Sequence, residues 1–153
     1  MPAQRDSIPA TAPSERSPQN LLAAASWALF VAVIFGGYSL LRLLTMQDAL
    51  SPFEEQFFRA GHAHAGVLTA VGVLYSSSLA RTGLPRRTQI RAWLAYLVSV
   101  LMVSGGFFLH MLVGKEGEGS VGTILIAAGA VALGSCMLVL AWHLWRARDV
   151  DPA

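Results

Sequence analysis

Phe57–Tyr75 reads FFRAGHAHAGVLTAVGVLY, an apolar run with Arg59, His62 and His64 at its mouth. A bilayer's hydrocarbon core takes about 20 consecutive apolar residues as a helix, and this run is of that order. Ionisable side chains at membrane depth are costly and are therefore functional-site candidates. The same few residues thus suggest both a membrane span and the place to look for chemistry.

Three more runs flank it. Leu21–Leu44 is too long for the ~7–15-residue apolar region of a signal peptide and lacks a small-residue cleavage site, so it reads as a first span. Ala92–Val113 and Val121–Trp145 are the third and fourth, and the second covers about 57–80. Between them lie Thr45–Glu55, the arginine-rich Arg81–Arg91 read as a turn, and the loop Gly114–Gly122. Ser51 followed by Pro52, Glu54 and Glu55 predicts an N-capped helix start, with early carboxylates favourable to the dipole. Residues 1–20, rich in Pro, Ser, Ala and Gln, predict a disordered tail, and 146–153 a short polar one.

Composition agrees. Hydrophobic residues make up 54% of the chain and charged residues 13%, about half the roughly 25% of a soluble domain. No basic stripe suits nucleic acid. The single cysteine, Cys136, excludes an intrachain disulfide or a cysteine-based metal site and reads as packing. The expected fold is an all-α, integral membrane four-helix bundle, with the lipid bilayer as its first partner.

Orientation follows the distribution of Arg and Lys. With both termini cytoplasmic, that side holds Arg5, Arg16, Arg81, Arg86, Arg87, Arg91, Arg146 and Arg148, against Arg42, Arg59 and Lys115 outside. The expected location is the cell membrane. Trp27, Trp93, Trp142 and Trp145 fall near inner span ends, where interfacial aromatics belong.

This topology collects His62, His64 and His110 with Arg42 and Arg59 at one outer level, and leaves His143 at the other end. On the third span, Ala92, Ala95, Ser99, Val103, Gly106 and His110 form a small-residue stripe, which points His110 into the protein. On the second, His62 shares a face with Gly61, Ala65, Thr69, Gly72 and Ser76, while His64 lies about 160° away at ~100° per residue. The two cannot chelate one metal from a regular helix.

Three site readings follow. A histidine ligates haem iron, with Arg42 or Arg59 pairing with propionates and Phe107 and Phe108 walling a space left by Gly105 and Gly106. His62 and His110 join a zinc or copper site, with Glu54 and Glu55 as further ligands. Or the histidines cap and bridge helices.

Arg59-Ala60-Gly61-His62-Ala63-His64-Ala65-Gly66, opening the second of four spans, resembles the styrene-oxide isomerase and hydroxylaminobenzene mutase group of small membrane proteins. Gly106-Phe107-Phe108 is similar to that group's third-helix glycine followed by aromatics. The resemblance implies a four-helix fold and haem b on His64, the histidine of the His-x-Gly match. It implies less for epoxide isomerisation, because the group's asparagine and tyrosine positions fall on Ala70 and Phe108. His110 as a second axial ligand would instead favour electron transfer. A non-enzymatic accessory protein of a larger complex, and a small carrier or pore, complete the function classes. Small-residue stripes on so short a chain suit a homo-oligomer or another membrane-protein partner.

Overall fold

The computed structural model describes residues 18–46 and 50–147. Expectations for Arg5, Arg16, Arg148 and most of both terminal tails lie outside the described residues. The four helices are α1 (Pro18–Leu44), α2 (Pro52–Ala80), α3 (Arg86–Val113) and α4 (Val121–Ala147). All four are long and apolar enough to cross a membrane. The described residues are thus all-helical, and the four helices have the length and composition of a multi-pass membrane bundle.

The start of α2 is the capped one that the sequence predicts. Glu54 N–H donates to Ser51 Oγ at 3.3 Å, and Ser51 N–H donates to Glu54 Oε2 at 2.7 Å, a reciprocal capping box with Pro52 in the first turn. The turn into α3 is shorter than expected. Gly83 takes φ +67°, Pro85 is the N-cap with φ −63°, and the helix begins at Arg86. Thr88 and Gln89 N–H both donate to the Pro85 carbonyl, and the Gln89 side chain donates to Leu84 O at 2.8 Å. A proline supplies a fixed φ and has no N–H to leave unpaired, so it starts a helix readily. Arg86, Arg87 and Arg91 therefore stand on the first turns of α3 and are exposed there.

The helices pack in chain order: α1 on α2, α2 on α3, and α3 on α4. Among the described residues α1 and α4 make no close backbone approach. The flanking helices expose large apolar side chains, including Phe35 at 69% and Leu138 at 74%. Lipid accepts such faces where water would not, and the backbone of each helix is satisfied internally.

Leu22, Tyr75, Leu79, Trp93, Tyr96, Val100 and Leu140 form the buried core. They come from the start of α1, the end of α2, the start of α3 and the end of α4, so the core occupies the terminal end of the molecule. Tyr75 and Tyr96 stack there with centroids 4.5 Å apart, and Tyr96 Oη donates to Leu68 O at 2.6 Å. Trp93, near the start of α3, is buried, and its Nε1–H donates to Ser26 Oγ on α1 at 3.2 Å. An indole buried in a low-dielectric interior needs such a partner, and Ser26 supplies it from across the helix pair. Trp27, Trp142 and Trp145 are exposed.

Candidate functional site

The end of the molecule where α1 and α3 finish and α2 and α4 start carries His62, His64 and His110. Each meets different surroundings.

His110 is buried and hydrogen-bonded. Its Nδ1 is 2.7 Å from Ser120 Oγ. Phe57 and Phe53 meet its ring edge-on at centroid distances of 4.4 and 5.4 Å. The small-residue stripe explains how the ring is enclosed. A Cβ on Gly106 would lie 2.7 Å from Ile126 Cγ1 and 2.9 Å from Gly122 O, and one on Gly129 would lie 2.8 Å from Val103 N. A Cβ on Gly122 would collide with the His110 backbone. Hence α3 and α4 approach at a distance only glycine permits. The inward direction expected for His110 is the one observed.

His64 lies on an exposed face. Its Nδ1 is 2.8 Å from Ala60 O, one turn earlier, and its ring lies beside Phe107 with centroids 4.7 Å apart and planes tilted by 30°. A carbonyl oxygen only accepts, so Nδ1 carries the proton and Nε2 keeps its lone pair. Phe107 also meets Phe57 at 6.3 Å and Phe57 meets His110, so ring contacts connect His64 to His110 through two phenyl groups.

His62 points the other way, towards α1. A Cβ on Gly37 would sit 2.9 Å from His62 Nε2, and one on Gly36 3.7 Å from Nδ1. The Gly36-Gly37 pair makes room for the ring. His62 borders a cavity of about 280 Å³ between α1, α2 and α3, with Thr69, Ser104 and Phe108 in its wall. Phe108 also packs edge-on to Phe58 at 5.3 Å and lies against Gly61.

Of the two arginines, Arg59 is paired with Glu55 at 2.6 Å on the surface of α2. Arg42 is exposed in the last turn of α1. The structure thus divides the predicted site residues. His64 meets Phe107, His62 shares a cavity with Phe108, and His110 is enclosed by Phe53, Phe57 and Ser120. Among the described residues no three His, Cys, Asp or Glu side chains converge as a metal site would need. Glu54 is committed to its helix cap and Glu55 to Arg59.

Sequence reasoning missed Ser104, Ser120 and the Gly36-Gly37 notch. The adjacent glycines in an otherwise bulky first span are a signal that backbone or a side chain approaches closely there. Ser104 carries no such mark. It is distinguished only by its surroundings: its Oγ is buried without a hydrogen-bond partner. Elsewhere Ser26, Ser76, Ser77, Ser99 and Ser135 all bond back to their own helix. Comparison with protein-family models, with curated proteins and with solved structures finds no match.

Proposed function

We propose that this chain is a membrane haem protein, with His64 as the axial ligand of haem b. The observation that carries the reading is the Nδ1 contact to Ala60 O at 2.8 Å, which orients the imidazole and leaves Nε2 available on an open face. A histidine metal ligand characteristically donates its other N–H to a carbonyl or carboxylate, fixing tautomer and orientation. Phe107 supplies a flat aromatic wall beside it.

The space against His64 is a shallow groove of about 200 Å³, formed with Ala63, Val67 and Leu68. One chain supplies a ligand and one wall, so the reading has a second copy of the chain, or another membrane protein, close the site. Arg42 is free to meet a propionate at the membrane surface, and Arg59 does so by leaving Glu55, an exposed pair worth only about 0–1 kcal/mol. The arginine distribution supports a cell-membrane orientation with both termini cytoplasmic. His110, held by Ser120 and two phenyl rings, is assigned to structure.

Haem supplies one-electron chemistry or, with its sixth position open, Lewis acidity. The chain's own residues hold and orient it, and exclude water with apolar walls. Phe108 has no hydroxyl and Ala70 no amide, so the orienting groups of an epoxide isomerase are not at those positions.

The test is the visible spectrum of the protein purified in mild detergent from haem-replete cells, oxidised and reduced. The expected result is a near-stoichiometric Soret band that His64→Ala abolishes and His62→Ala preserves. A colourless protein that haemin cannot reconstitute overturns the reading.

A further inference from the structure

We infer that the cavity between α1, α2 and α3 is a binding site for a small, neutral, lipophilic molecule carrying one or two hydrogen-bonding oxygens, and that His62, Thr69 and Ser104 recognise it. The inference uses none of the residues assigned to haem.

The cavity measures about 280 Å³, and its wall is mostly aliphatic side chains with Phe108. Only three side chains in it have polar atoms, and all three lack partners. Ser104 is 6% exposed and its Oγ has no hydrogen bond. His62 and Thr69 make no hydrogen bond or ion pair with any described residue. A buried polar group left unpaired costs about 1–3 kcal/mol, and Ser104 Oγ is such a group, with the half-buried His62 and Thr69 beside the same space. Ser26, Ser76 and Ser99 on these helices each satisfy themselves on a backbone carbonyl one turn back, Ser99 on the same helix as Ser104.

The three groups are spread along the cavity. His62 and Thr69 are two turns apart on one face of α2, roughly 10 Å along the axis. Gly61 packs on Phe107 and Phe108, and Gly72 on Tyr96. That register puts Ser104 of α3 between the levels of His62 and Thr69.

Candidate occupants are separated by this chemistry. An acyl chain fills the apolar volume and leaves three polar groups unpaired. Water satisfies those groups but wets an aliphatic wall. A charged molecule meets no counter-ion, since no Arg, Lys, Asp or Glu lines the cavity. A molecule with an apolar body and one or two heteroatoms satisfies both wall and polar groups. An apolar cavity of about 150 Å³ accepts benzene, so this one suits a bicyclic or substituted ring. Access is from the bilayer. His62 and Val33 also border an open groove on the lipid side of the α1–α2 pair, which makes them the partition between groove and cavity.

The test is saturable binding of 1-naphthol to the full chain in lipid nanodiscs, with empty discs as the blank and naphthalene as the probe lacking a hydroxyl. The expected result is one equivalent of 1-naphthol per chain. Ser104→Ala is expected to weaken it roughly three- to tenfold while changing naphthalene less than about twofold. Ala65→Phe, which fills the cavity, is expected to abolish binding of both. Leu101→Trp, filling from the exposed margin of α3, gives the same reading where Ala65→Phe does not fold. His64→Ala is expected to bind normally, whatever its haem content. Binding no greater than to empty discs, binding unaffected by either filling variant, or equal effects of Ser104→Ala on both probes overturns the proposal. So does loss of binding in His64→Ala, which would move the probe to the other face of α2.

Discussion

His62 and His110 come from adjacent helices and lie within about a turn of one another in depth, yet the protein treats them oppositely. His110 is closed in by Phe53 and Phe57, bonded to Ser120, and set against a helix pair that only glycines allow to approach so closely. His62 lies between glycines of α1 and a cavity, with no partner for either ring nitrogen. The difference extends to the helix pairs. The α3–α4 contact is saturated, whereas the α1–α2 contact leaves open volume on both sides of one histidine. A histidine at membrane depth is therefore not informative by type alone. Whether its hydrogen-bonding capacity is already used inside the protein separates a structural role from a binding one.

The sharpest way to break this contrast is to separate α3 from α4. Gly106→Ala puts a methyl within 3 Å of Ile126 and of the Gly122 carbonyl, and the backbone there has no room to yield. The expected cost is about 3 kcal/mol, measured by unfolding in a mixed-detergent titration. Gly105→Ala, with nothing within 4 Å of its Cβ, is the neighbouring control and is expected to be close to neutral.

A smaller effect separates the two histidines themselves. His110→Ala removes a buried hydrogen bond and leaves a void between two phenyl rings, for an expected loss of about 2–3 kcal/mol. His62→Ala removes no hydrogen bond and opens an existing cavity further, so less than about 1 kcal/mol is expected in the same titration. Equal losses would remove the distinction drawn here.

The smallest stability effect belongs to the notch on α1. Gly37→Ala meets only the far end of the His62 ring, at 2.9 Å, and a side chain can swing where backbone cannot. The expected stability change is below about 1 kcal/mol, with the ring pushed into the cavity and 1-naphthol binding reduced. Unchanged binding would show that the ring does not border the occupied space.

Much of this protein was legible in its residues. Ser51, Pro52 and Glu54 announced the start of α2, because a capping box is a local arrangement that needs only its own backbone. The stripe ending at His110 announced its inward direction, because helical phase is set by spacing. Contacts decided what the pattern left open and overturned one expectation. Trp93 is buried, with Ser26, far away in sequence, accepting from its indole. The arginines after Pro85 belong to α3 and not to the turn, because Pro85 and Gln89 close the helix start on themselves.

By itself the sequence determined that the chain makes four apolar helices, that the charges gather at their ends, and that His62 and His64 leave opposite sides of α2. These are properties of composition and of a fixed helical repeat. Only the tertiary structure decided which histidine has its polar atoms satisfied, where glycine lets two helices touch, and where packing leaves a cavity with an unpaired Ser104 in its wall. Those depend on distances between atoms of different helices, which a helical repeat does not encode.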